Sequence, residues 1–135
     1  MKEIILDTNI IIRYFIKDDE TQYLKAYQYI DGIEKGIYKG YISILVINEI
    51  IWVLENYYDL KRKDYISKLI LLFALKNINI LETEKEIIIN ILQHMLKKNL
   101  DFTDYYLLSL SSGNNIVTFD KEINKIIMSN SKGNE

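Results

Sequence analysis

The sequence predicts one α/β domain, a short central parallel sheet with helices over both faces. Two observations carry this. Brief β-branched runs alternate with stretches whose apolar residues recur at helical spacing, and parallel strands need such crossover helices. The 135-residue length is also about one domain's worth, with no linker, repeat or low-complexity stretch dividing it. Residues 1–128 therefore read as the domain and residues 129–135 as a polar tail prone to fraying.

Residues 3–6 are a β-branched run ending at Asp7, which reads as a buried strand. From Thr8, a candidate N-cap, Ile11, Ile12, Phe15 and Ile16 fall at helical spacing. Asp18, Asp19 and Glu20 break that helix and place negative charge at the start of the next. Leu24, Tyr27, Ile30 and Ile33 follow at steps of three, and Gly36 is a natural stop. Residues 40–43 read as a second strand, leading into a helix with Ile44, Ile47, Ile50, Ile51 and Leu54 on its apolar face. Residues 61–75 predict a helix and residues 78–81 a strand. Thr83 and Glu86 have the spacing of a capping box for a further helix reaching residue 98. Asp101, Phe102, Thr103 and Asp104 open the next helix, which Ser111, Ser112 and Gly113 close. Residues 115–118 predict the last strand and residues 122–128 the last helix. Proline is absent, so boundaries rest on caps and period alone.

Composition removes several kinds of chemistry. With no cysteine, a disulfide scaffold, a thiolate zinc site and a cysteine nucleophile are excluded. A single histidine, His94, leaves little for a His-rich metal site or a Ser-His-Asp triad. A net charge of -2 argues against coating nucleic acid by bulk charge. No apolar run approaches the ~20 residues that span a bilayer, and charge arrives at Asp7, too early for a signal-peptide core. The expected location is the cytoplasm, without a membrane partner.

The acids matter by position. Asp7 ends the first strand, Asp120 follows the last, Asp104 opens a helix, and Glu49 lies in the first two turns of another. Ligands of open α/β sheets bind outside the carboxyl ends of the strands, where these four segments converge. Carboxylates crowded there repel unless a cation sits between them, and Mg²⁺ or Mn²⁺ suits an all-oxygen set. Such an ion activates water and stabilises charge on a phosphodiester, so a slightly acidic protein can still act on RNA or DNA.

In these residues the chain resembles the PIN-domain nucleases, and especially the small VapC-type toxins of toxin–antitoxin pairs. The carriers are Ile4-Ile5-Leu6-Asp7-Thr8-Asn9, Asn48-Glu49-Ile50, Asp101-Phe102-Thr103-Asp104 and Val117-Thr118-Phe119-Asp120-Lys121, in order along nearly the whole chain. The resemblance implies a three-layer α/β/α fold and Mg²⁺- or Mn²⁺-dependent cleavage of single-stranded or loop RNA. It makes Asp7, Glu49, Asp104 and Asp120 the catalytic, metal-binding acids, with Asn9, Thr118 and Asp101 supporting the site. It also implies 5′-phosphate and 3′-hydroxyl products, a homodimer, and a small antitoxin partner.

Other readings stand beside this one. Asp7 and Asp104 also suit plain helix-start roles, whereas Glu49, among Val46, Ile47, Ile50 and Ile51, is a carboxylate in need of a partner. The whole chain also suits a PIN-like module that binds RNA or protein without cleaving, or a housekeeping RNA-processing nuclease. An Asp7-nucleophile phosphotransferase is weaker, since Asn9 stands where a second acid is wanted. Trp52 and most of the 11 tyrosines read as core or partner contacts, not base-stacking platforms. The basic runs 61–63 and 97–98 read as solvated faces, with Arg13 and Lys17 as candidate phosphate contacts.

Overall fold

A computed structural model of the chain describes residues 1–111 and 115–133. In order it holds β1 (Lys2–Ile5), α1 (Thr8–Phe15), α2 (Glu20–Glu34), β2 (Tyr38–Ile42) and α3 (Ile44–Trp52). A π-helical turn (Val53–Tyr57) prolongs α3, followed by α4 (Arg62–Phe73), β3 (Ile78–Ile80), α5 (Lys85–Met95), α6 (Phe102–Leu110) and α7 (Lys121–Gly133). The three strands pair in parallel in the order β1-β2-β3, so each connection is a helical crossover. The parallel α/β architecture is the one the sequence predicts. No helix among the described residues is long and apolar enough to cross a membrane.

Gly40 sits at the centre of the sheet, opposite Ile4 on one side and Ile78 on the other. A Cβ there would stand 2.7 Å from the Ile33 side chain, so the missing side chain lets α2 close onto β2. Gly36 takes φ +81° just past the end of α2, the left-handed stop expected at that position. The core then gathers Ile11, Ile30, Ile33, Ile42, Ile47, Ile50, Leu54, Tyr65, Leu69, Phe73, Ile78, Ile88 and Leu92, all buried.

Several local expectations need correcting. Asp7, not Thr8, caps α1: its carboxylate accepts the Thr8 backbone N–H at 2.7 Å, while Thr8 itself is buried. On α2 the buried set is Ala26, Ile30 and Ile33, whereas Leu24 and Tyr27 are exposed. A step of three falls about 60° short of a full turn, so an apolar row at that spacing winds off the core face. Glu84 precedes α5 as its N-cap, without the expected capping box, and α5 ends at Met95. Residues 115–118 join no strand of the sheet; Ile116 and Thr118 are half-buried while Val117 and Phe119 are exposed, a strand-like alternation without the ladder. The last helix runs on to Gly133, past the point where the polar tail was expected to begin. The expected closing of α6 at Ser112 and Gly113 lies outside the described residues, as do the last two residues of the tail.

Candidate active site

The acids sit where helices begin, and the backbone explains how each is held. Asp7 follows β1 and caps α1 through Oδ1, leaving Oδ2 uncommitted to that cap. Asp120 caps α7: its Oδ1 accepts the backbone N–H groups of Glu122 and Ile123, both at 2.9 Å. Thr118 braces the same turn, its hydroxyl accepting the Asp120 N–H at 3.0 Å and its carbonyl the Asn124 side-chain amide at 3.2 Å. Asp101 caps α6, and Asp104 on the third residue returns Oδ2 to the Asp101 N–H at 3.4 Å. Asp7, Asp104 and Asp120 are thus each fixed through one carboxylate oxygen. Asn9 is exposed on the first turn of α1.

Glu49 lies on α3, which starts directly after β2 at the same carboxyl edge. The helix start is capped by Ser43, and Glu82 reaches it from just beyond β3, accepting the Ser43 hydroxyl and the Ile44 N–H at 2.8 Å. Burial alone would raise the Glu82 carboxyl, but these two donors hold it below its ordinary range. Sequence reasoning passed over Glu82, although its place one residue after the β3 run at the carboxyl edge was a usable signal. Glu49 itself is exposed, because Ile47, Ile50, Ile51 and Leu54 take the buried face. Its apolar sequence neighbours therefore do not oblige it to find a partner.

Asp104 lies within electrostatic reach of Asp101 and Asp120. Burial pushes the Asp104 carboxyl above its ordinary range; the Asp101 backbone N–H opposes this, and the charges of Asp101 and Asp120 add to the rise. The α3 and α6 helices also meet, the Thr103 hydroxyl lying 3.5 Å from the Asn48 side-chain oxygen, so residues adjoining Glu49 and Asp104 touch. Packing of α1 on α3 sets the Asp7 helix beside the Glu49 helix. Among the described residues, however, no group of three His, Asp or Glu side chains stands close enough to hold a metal ion. The carboxylate donors fit a hard divalent cation in kind, but they are not gathered into a ready-made site, Asp101, Asp104 and Asp120 included.

The basic residues mostly have structural work. Arg62 belongs to no solvated face: its guanidinium donates to the Met95 and Lys98 carbonyls at 3.1 and 2.9 Å, and lies 3.6 Å from Asp101 and 3.9 Å from Glu55. Arg13 is held by Asp18 at 2.6 Å and Gln22 at 2.7 Å, and the exposed Lys17 lies over the Tyr23 ring. His94 is exposed and stacks on Tyr105.

The fold is a parallel α/β domain that sets Asp7 and the Glu49 helix at the carboxyl ends of β1 and β2. The family model for the PIN domain matches residues 4–127, and the chain belongs to that family. PIN domains are generally nucleases that need metal ions. No curated protein and no solved structure gives a significant match.

Proposed function

We propose that this chain is a Mg²⁺- or Mn²⁺-dependent endoribonuclease of VapC type, the toxin of a toxin–antitoxin pair acting in the cytoplasm. The nuclease reading is supported by the PIN-domain match over residues 4–127 and by Asp104, which lies within electrostatic reach of Asp101 and Asp120, whose charges a cation would offset. Asp7, Glu49, Asp104 and Asp120 are the residues that would hold it. When bound, the ion supplies Lewis-acid stabilisation of charge on the phosphodiester and lowers the pKa of a coordinated water. The chain's part is positional. The caps at Asp7, Asp104 and Asp120 fix one oxygen of each carboxylate on backbone N–H groups, so the second points from a preset place. Thr118 stiffens the Asp120 turn and Asp101 the start of α6. Asn9, exposed on the first turn of α1, would contact the substrate phosphate or the attacking water.

Cleavage of total cellular RNA by the purified protein in Mn²⁺ or Mg²⁺ tests this, with EDTA and Asp7→Asn alongside. Discrete fragments bearing 5′-phosphates that vanish in both controls are expected. The spread of the acids favours a second reading, a PIN-like binding module without catalysis. Calorimetry separates them: no Mn²⁺ heat and no cleavage would leave only the module.

For the antitoxin partner the proposed seat is against α1, where a cavity of about 520 Å³ opens among Tyr14, Phe15, Tyr27, Leu71 and Leu75. Leu71 is 70% exposed there, an apolar residue suited to a partner's apolar helix. The exposed Tyr57 is a second candidate contact for an antitoxin or a second copy of the chain in a homodimer. Unchanged antitoxin affinity in Leu71→Asp would remove the groove from the proposal.

A further inference from the structure

Along α3 and the π-helical turn, Asn48, Trp52 and Asn56 recur at intervals of four and share one exposed stripe. Trp52 is 61% exposed, so the core role open to it from sequence is excluded. The stripe walls a cavity of about 320 Å³ whose far side is Arg62, Asp101 and Thr103. Asn48 precedes Glu49, and Asp101 gives its backbone N–H to Asp104, so this cavity lies next to two of the proposed metal-binding acids although neither lines it. We propose that it is a base-recognition subsite, in which Trp52 stacks on one unpaired nucleobase of an RNA beside the scissile phosphate. The proposal rests on the nuclease reading for its substrate, and on the cavity for everything else.

Charge chooses the base over the phosphate. Arg62 is the cation on this wall, and it is already held by Glu55, Asp101 and two backbone carbonyls. Two carboxylates against one engaged guanidinium repel a phosphate and accept a neutral heteroaromatic ring. The size agrees, since cavities from about 300 Å³ upward hold small planar ligands. Hydrogen bonding is available in both senses. Asn56 gives one N–H to the Trp52 carbonyl at 3.0 Å and keeps its side-chain oxygen as acceptor. Asn48 accepts from Thr103 and keeps its amide nitrogen as donor. Stacking on an aromatic ring with edge hydrogen bonds is how unpaired RNA bases are read. The π-helical turn right after Trp52 adds to the case, since such irregularities concentrate at functional sites.

Trp52 is the sole tryptophan, so its emission reports on this cavity alone. The test titrates a mixed-sequence single-stranded RNA hexanucleotide, labelled for anisotropy, into the full chain in EDTA, where cleavage is silent. Binding with parallel quenching of Trp52 emission is expected. Trp52→Ala should weaken binding about tenfold, the scale of one lost base–aromatic stack, and Trp52→Phe should recover most of it. Circular dichroism confirms that both variants fold, as removal of an exposed indole opens no core. Binding without quenching, equal binding by Trp52→Ala, or no binding would each overturn the subsite. So would emission that shifts with protein concentration before RNA is added, which would assign Trp52 to a contact between copies. The two readings fail separately: RNA cleavage in Mn²⁺ without quenching removes only the subsite, and quenching without cleavage removes only the nuclease.

Discussion

Glu82 accepts the backbone N–H of Ile44 at 2.8 Å, so the helix bearing Glu49 is started by a carboxylate from the far edge of the sheet. Glu82 also takes the Ser43 hydroxyl, and Ser43 in turn accepts the Leu45 N–H at 3.2 Å. Two capping groups therefore act on one helix end, joining β3 to α3 without a covalent neighbour. Glu82→Ala should cost about 1 kcal/mol of stability, the usual worth of a lost cap. Urea unfolding measures it, and a loss near zero would show that Ser43 suffices alone. Because α3 carries Glu49, RNA cleavage should fall as well, and Glu82→Gln should retain more of both.

Asp18 links three segments: Arg13 at 2.6 Å, the Tyr58 hydroxyl at 3.0 Å, and its own place before α2. The Tyr58 hydroxyl, then the Arg13 guanidinium, outweigh burial and hold the Asp18 carboxyl below its ordinary range. A carboxyl lowered by folding adds stability above its unfolded pKa and loses it as pH falls through the folded value. The melting temperatures of the native chain and Asp18→Asn should therefore differ at neutral pH and converge in acid. A constant gap across that range would assign the effect to packing instead.

The sequence made the sheet legible because short β-branched runs and their intervening helices differ in period, although β1, expected to be buried, is largely exposed, Ile5 included. The strand-end argument holds for Asp7 after β1 and for the Glu49 helix after β2, but not for Asp120, whose predicted strand is not in the sheet. What it hid is long-range. Arg62 looked like one member of a basic run, yet its partners are the Met95 and Lys98 carbonyls, more than thirty residues away. Glu82 falls between the strand and helix signals and is a cap for a distant helix. Asp7 and Thr8 were separable only by backbone conformation, since either residue type can cap. The run 115–118 has the composition of a strand, but pairing is decided by the neighbour it meets rather than by its own residues.

Arg62 donates to two carbonyls that would otherwise lack these partners and holds the chain between α5 and α6 in place. Arg62→Met keeps the aliphatic stem and removes the donors. A loss of about 2–3 kcal/mol is expected, the scale for hydrogen bonds from a charged donor. Hydrogen exchange should rise first at residues 96–101, and unchanged protection there would refute the tether.

Gly40 tests the closeness of α2 to the sheet. Its added Cβ would meet Ile33 Cδ1 at 2.7 Å and Ile78 Cδ1 at 3.2 Å, both ends of flexible side chains. Gly40→Ala should therefore cost about 1–3 kcal/mol by overpacking, and Gly40→Val more. Pairing Gly40→Ala with Ile33→Val should recover part of the loss. Additive losses in the pair would show that the strain lies in the strand rather than at this contact.

Asp104 is where stability and function should pull apart. In the metal-free chain its carboxyl is raised by burial and by the Asp101 and Asp120 charges, against the Asp101 N–H. A carboxyl raised by folding opposes stability once pH climbs through the folded value, since the folded chain then holds a disfavoured charge. Asp104→Asn removes that charge and keeps an oxygen for the Asp101 N–H. Without metal, it should melt at the same temperature as the native chain or higher at neutral pH, and the difference should vanish in acid. With Mn²⁺ the order should reverse, because the native chain gains stability from a bound ion and the variant has lost a ligand. RNA cleavage should fall at least ~100-fold, the scale for removing a group that stabilises transition-state charge. A variant less stable than the native chain in EDTA would mean that Asp104 serves α6 as a cap more than it strains the cluster.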